Sequence, residues 1–63
     1  MNIVPWLGAK CSLNIEGTGW IQRIPVSVFQ IGGGRHSQPT VHCTSWDGAV
    51  FEQYPLAVVK GIR

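Results

Sequence analysis

The chain reads as an all-β domain of five short strands, and three observations point there. Residues 9–15 alternate between apolar and polar side chains, the period of a half-buried strand. Residues 40–55, TVHCTSWDGAVFEQYP, place two runs rich in Val, Thr, Phe, Trp and Tyr on either side of Asp47-Gly48, among the strongest two-residue hairpin signals. No stretch is patterned for a helix of three turns, and no internal repeat is present.

Taken in order, residues 1–7 form an apolar N-terminal arm in which Pro5 disfavours helix and Trp6 offers an anchor; Gly8 ends it. Residues 8–63 then form one domain. Ala9 to Ile15 is the first strand, with Cys11, Leu13 and Ile15 on one face and Lys10, Ser12 and Asn14 on the other. Glu16-Gly17-Thr18-Gly19 is a tight turn by composition. A longer strand follows from Trp20 to about Ile31. Pro25 has no N–H to give a central ladder, so a kink or an edge is expected there, letting the strand belong to both halves of a small barrel. Gly32 to Pro39 is a loop. The hairpin comes next, its turn expected to be type I′ with positive φ at both Asp47 and Gly48. Pro55 stops the second hairpin strand. Leu56-Ala57-Val58 suits one 3₁₀ turn, and Val59 to Ile62 makes a last short strand. Five strands, a kinked second strand and a 3₁₀ turn before the last are the order of an SH3-like barrel, whose closure removes the exposed edges a small sheet otherwise leaves bare.

A two-residue loop fixes which hairpin residues share a face. Trp46 faces Ala49, Thr44 faces Phe51 and His42 faces Gln53, with Thr40 on the same side; Val41, Cys43, Ser45, Val50, Glu52 and Tyr54 lie on the other. The second set is smaller and mostly apolar, so it belongs inside. Glu52 is then the misfit: an unpaired buried carboxylate is costly, so it must sit at a rim, meet a Lys or Arg, or be turned outward by a bulge. The first set puts Trp46, Phe51, His42 and Gln53 together outside. Either they form an interaction surface, where aromatics are enriched and charges depleted, or the aromatics pack under the glycine-rich loop or the N-terminal arm.

Size and composition bound the rest. Sixty-three residues of which 13% are charged make a small domain with little charged surface, where about a quarter is usual. A chain of this length needs a dense core, a staple or a partner, and the shortage of charge favours a homo-oligomer. The N-terminus has no charged region leading into an apolar one, so the expected compartment is the cytoplasm, with Cys11 and Cys43 reduced rather than bridged. No apolar run approaches the ~18 residues of a membrane span. The net charge of +2 comes from scattered Lys10, Arg23, Arg35, Lys60 and Arg63, a pattern that offers little to nucleic acid.

Candidate chemistry is sparse. His36 and His42 titrate near neutrality, but no nucleophile–base pair is visible in the sequence. Cys11, His36, His42 and Cys43 lack metal-ligand spacing, and adjacent strand residues such as His42 and Cys43 point to opposite faces, so no metal is expected. The loop Gly32-Gly33-Gly34-Arg35-His36-Ser37 could form an anion nest with Arg35 holding a phosphate, or be a plain flexible connection. It lacks the Lys-Ser/Thr ending of a P-loop.

At GTGWIQRI (Gly17 to Ile24) and FEQYPLAVVKGI (Phe51 to Ile62) the chain resembles the plasmid-borne type II dihydrofolate reductases, which are short SH3-like barrels. Gly17, Trp20 and Ile24 match one family segment; Tyr54, Pro55, Ala57 and Ile62 match the strand end, 3₁₀ turn and closing strand of another. The resemblance implies a homotetramer around a pore that holds NADPH and dihydrofolate, lined by a Gln-Ile-Tyr segment with a Lys near the first turn. Only Tyr54 of that lining is kept: Glu52 stands for the Gln, Gln53 for the Ile and Asn14 at about the Lys position. The likeness therefore carries the fold and self-association further than the reaction. The expectation is a small self-associating binding module carried on a mobile element, without a cofactor of its own, working through Trp46, Phe51, Gln53, Tyr54 and Arg35. An NADPH-dependent reductase is the alternative, using Gln53 and Tyr54 with Arg35 or Lys10 in place of the missing Lys. A nucleic-acid binder using Trp46, Phe51 and the basic residues is the third class.

Overall fold

The computed structural model describes residues 5–31 and 38–63, so the glycine-rich loop with Arg35 and His36 lies outside the described residues. Five strands are present: β1 (Cys11–Ile15), β2 (Gly19–Ile31), β3 (Gln38–Thr44), β4 (Phe51–Pro55) and β5 (Val59–Ile62). They form one antiparallel sheet in the order β4-β3-β2-β1-β5. A 3₁₀ turn at Leu56–Val58 joins β4 to β5, where the sequence placed it. β4 and β5 are the two edges, so the sheet is open and the architecture shown is coarser than a closed barrel.

The bend in β2 organises this sheet. Its first half pairs with β1, from Cys11↔Arg23 to Ile15↔Gly19; its second half pairs with β3, from Ile24↔Thr44 to Ile31↔Gln38. The register slips between Pro25 and Ser27, where Val26 is the extra residue. A bulge there suits Pro25, which cannot donate to the ladder. Of the two options the sequence left for Pro25, the structure shows the kink: Pro25 is fully buried, and its carbonyl accepts a 2.6 Å hydrogen bond from the Gly8 N–H.

The hairpin keeps the expected register, with His42↔Gln53 and Thr44↔Phe51 paired, but its turn differs from expectation. Among the described residues none other than glycine has positive φ, so Asp47 is not left-handed and the turn is not type I′. Instead Gly48 N–H bonds the Ser45 carbonyl at 2.9 Å, and Ser45 N–H bonds the Val50 carbonyl at 3.0 Å. The Asp47 carboxylate accepts from the Ser45 hydroxyl and from the Ala49 N–H, while Ser45 Oγ accepts from Val50 N–H. These side-chain bonds hold a longer loop in which only Gly48, at φ +77°, leaves the usual region. The longer loop gives up the Trp46–Ala49 pair but keeps Thr44↔Phe51 and His42↔Gln53, so the faces of β3 and β4 are unchanged.

Leu13, Ile15, Val41 and Cys43 form the core, joined by Pro25. Leu13 and Ile15 come from the alternating face read in β1; Val41 and Cys43 come from the inner set of the hairpin. Cys11 and Cys43 are free thiols. Burial raises the pKa of both, so they stay protonated at neutral pH and pack as small apolar groups. With so few fully buried side chains, one truncation matters. Leu13→Ala should cost about 2–5 kcal/mol, read as a collapse of the urea midpoint with loss of the sheet signal in circular dichroism.

Candidate functional site

Three polar or aromatic groupings arise from this frame. The first is half-buried, at the margin of the core. Arg23 lies on the inner face of β2 beside the kink and reaches β4, two strands away, where its Nε stands 3.1 Å from Glu52 Oε2. Tyr54, two residues along β4 on the same face, donates its hydroxyl to the same oxygen. The carboxylate that the sequence left as a misfit thus has a cation and a phenol as partners. The Tyr54 hydrogen bond first, then the Arg23 one, hold the Glu52 carboxyl below the usual glutamate range. Burial, and then the hydrogen bond to Glu52, push the Tyr54 phenol up.

The second grouping covers the outer face of β2, β3 and β4. The His42 ring stands edge-on to Phe29 at 4.2 Å between centroids and to Phe51 at 5.4 Å. Gln53 lies opposite His42 in the register. His42 Nε2 is buried and has no hydrogen-bond partner among the described residues. Phe51 remains 60% exposed.

The third grouping is an open groove of about 710 Å³ lined by Ser12, Trp20, Gln22, Arg23, Trp46 and Asp47, together with Ile21 and Ser45. Trp20 and Gln22 come from β2, on the face they share with Asn14 and Ser12 of β1. Trp20 crosses β1 to lie against Gly61 of β5: a Cβ at Gly61 would meet its ring at 3.2 Å, so glycine is what lets the indole settle there. The Arg63 guanidinium stacks 4.0 Å from the same ring. Trp46 comes from the β3–β4 turn. Its Nε1–H donates to the Cys11 carbonyl at 3.3 Å, and Lys10 Nζ stands 5.6 Å from its ring.

The expected outer cluster is therefore split. Phe51 and Gln53 stay with His42, as alternation required. Trp46 does not join them but closes the groove against β1. β3 ends at Thr44, so strand alternation no longer dictates where Trp46 points, and its indole N–H finds a partner in the Cys11 carbonyl. Tyr54 faces inward to Glu52, away from Phe51 and Gln53. Arg35 lies outside the described residues. Sequence reasoning did not assemble Trp20, Gln22 and Arg63 into a site. The signal was present in part, since a tight turn after Ile15 pairs Trp20 with Asn14 and Gln22 with Ser12, on the face opposite the core. The contact with Arg63 carried no such signal.

Charge is distributed unevenly over these groupings. Arg23 pairs with Glu52, and Lys60 stands 3.9 Å from Glu16. Among the described residues Lys10 and Arg63 pair with no carboxylate, and each sits on an indole of the groove. Asp47 is the groove's carboxylate; its hydrogen bonds, from Ser45 first and then from Ala49 N–H, lower its pKa and keep it ionised at neutral pH. Among the described residues no three His, Cys, Asp or Glu side chains converge as metal ligands would, and no helix is long and apolar enough to cross a membrane.

No protein-family model, curated protein or solved structure gives a significant match to this chain.

The half-buried triad makes acid stability testable. The native Glu52 pKa is depressed, so the ionised carboxylate stabilises the fold above the ordinary glutamate range. That contribution is lost as pH falls through the lowered native value. Urea midpoints of the parent chain should drop as pH falls below the ordinary glutamate range. Glu52→Gln should lower the midpoint at pH 7, because Arg23 loses its partner, and should flatten the acid decline. An equally steep decline in the variant would assign the acid sensitivity to other groups.

Proposed function

We propose that this chain is a small self-associating binding module whose ligand site is the groove between Trp20 and Trp46. The observation that carries the reading is a coincidence of three features. Two tryptophans that remain about two-fifths exposed flank one groove. Ser12 and Gln22, with side chains able to hydrogen-bond, line the same groove. The two described cations without a carboxylate partner sit on those indoles. Open clefts lined by aromatics with a few convergent polar groups are where small proteins bind ligands, and tryptophan and arginine carry more than their share of binding energy.

Self-association is supported by a second feature, the Phe29–His42–Phe51 face. The buried core is small, while Val26, Phe29, Val50, Phe51 and Leu56 are all large apolar residues left exposed. A domain of this size gains most from covering such a face with a second copy. None of Phe29, His42 or Phe51 lines the groove, so the two surfaces can act together. The type II dihydrofolate reductase likeness adds to the self-association side of this reading. For the reductase reaction no specific feature of the site speaks, since Tyr54 directs its hydroxyl to Glu52.

Two measurements test this. In ¹H–¹⁵N spectra recorded against mononucleotides, short acidic peptides and small aromatic acids, at least one probe should move the indole N–H signals of Trp20 and Trp46 together; silence from all three removes the groove as a ligand site. Sedimentation equilibrium should give a multiple of the 6.9 kDa chain mass, shifted toward the monomer by Phe51→Glu. A monomeric parent chain would end the self-association part alone.

A further inference from the structure

We infer that the Trp20–Trp46 groove takes single-stranded nucleic acid, with bases stacking on the two aromatic platforms and phosphates meeting Lys10 and Arg63; this rests on the groove being a ligand site, as proposed above. The chemistry repeats along the groove. Of the two indoles that line it, Trp46 has the Lys10 ammonium over its ring and Trp20 has the Arg63 guanidinium over its ring. An indole with a cation over one face joins a stacking surface to a positive charge, the complement of one base with its phosphate, and two such units on one open groove complement a repeating strand better than a single small molecule. Base–aromatic stacking tolerates any sequence because every base has a π-face, and an arginine plane stacked on tryptophan extends the platform.

Two details favour a nucleic acid over a peptide. Extended proline-rich peptides dock in aromatic-lined grooves, and the polar handle an indole offers such a ligand is its N–H. The Trp46 N–H is already bonded to the Cys11 carbonyl, so this ring presents a π-surface without its donor. The cations of the groove also differ from the chain's others: Arg23 and Lys60 have carboxylate partners, whereas Lys10 and Arg63 have none among the described residues. Asp47, ionised at the Trp46 end, disfavours phosphate beside itself and directs the backbone toward the Lys10 and Arg63 side; its free acceptor capacity suits a base amino group.

The test is fluorescence anisotropy of a labelled 12-nucleotide oligo-dT, with the matching duplex and thymidine monophosphate as competitors. Oligo-dT should bind at low salt, with log K falling against log salt at a slope of about −1.4 for two phosphate contacts. Lys10→Gln and Arg63→Gln should each bring the slope toward zero by about 0.7, and Lys60→Gln, which removes the same charge outside the groove, should leave it unchanged. Trp46→Ala should weaken binding about tenfold or more; Trp20→Leu gives a second reading should either variant prove unfolded by circular dichroism. Absence of binding, equal slopes for the Lys60, Lys10 and Arg63 variants, or equal competition by duplex overturns the inference. If oligo-dT leaves the Trp20 and Trp46 indole signals in place while an acidic peptide moves them, the nucleic-acid assignment falls and the groove reading stands. If no probe moves them, both fall.

Discussion

A proline that cannot donate a hydrogen bond sits in the middle of the longest strand, and the arrangement of the molecule follows from how the sheet accommodates it. β2 must serve β1 along its first half and β3 along its second. Pro25 interrupts the ladder at the handover, a bulge absorbs the missing donor, and the Gly8 N–H bonds the Pro25 carbonyl. The bend brings non-neighbouring strands within reach of each other. Arg23, two residues before the kink, meets Glu52 on β4; Trp46, beyond the end of β3, meets the Cys11 carbonyl on β1. A flat sheet in the same strand order would leave both pairs two strands apart.

The bend also explains how so small a core tolerates a carboxylate. Leu13, Ile15, Val41 and Cys43 are nearly or wholly sealed, and Pro25 fills the corner. Glu52 would be a liability at the margin of that core without partners. It accepts from a guanidinium on one side and a phenol on the other, which satisfies the charge where it is only half exposed. The three groups are mutually dependent: removing the carboxylate leaves Arg23 uncompensated, and removing the phenol leaves the carboxylate with one partner fewer. Among the apolar residues that this interior does not hold, Phe29 and Phe51 flank His42 on the outer face of β2, β3 and β4, while Trp20 and Trp46 line the groove.

What the amino-acid sequence determined by itself was everything that depends on local alternation. The strand faces of β1 and of the hairpin, the kink at Pro25, the 3₁₀ turn after Pro55 and the His42–Gln53 register all follow from the two-residue period of an extended chain and from the positions of proline and glycine. The need for Glu52 to find a cation was legible too, because the carboxylate fell on the inward set. The turn itself was misread: Asp47-Gly48 was expected to form a type I′ pair, but Ser45 and Asp47 side chains hold a longer loop that closes at Ser45 and Val50 and keeps the Thr44↔Phe51 pair.

Only the tertiary structure decided which cation meets Glu52, where Trp46 goes and what Trp20 rests on. Arg23 lies 29 residues from Glu52 and Trp46 lies 35 from Cys11. Gly61 and Arg63 reach Trp20 only because β5 pairs on the far side of β1. Contacts of that span are set by how the sheet bends and by which edge each strand occupies. Neither quantity is carried by the period of a single strand, so the faces could be read from the sequence while the groove that they build could not.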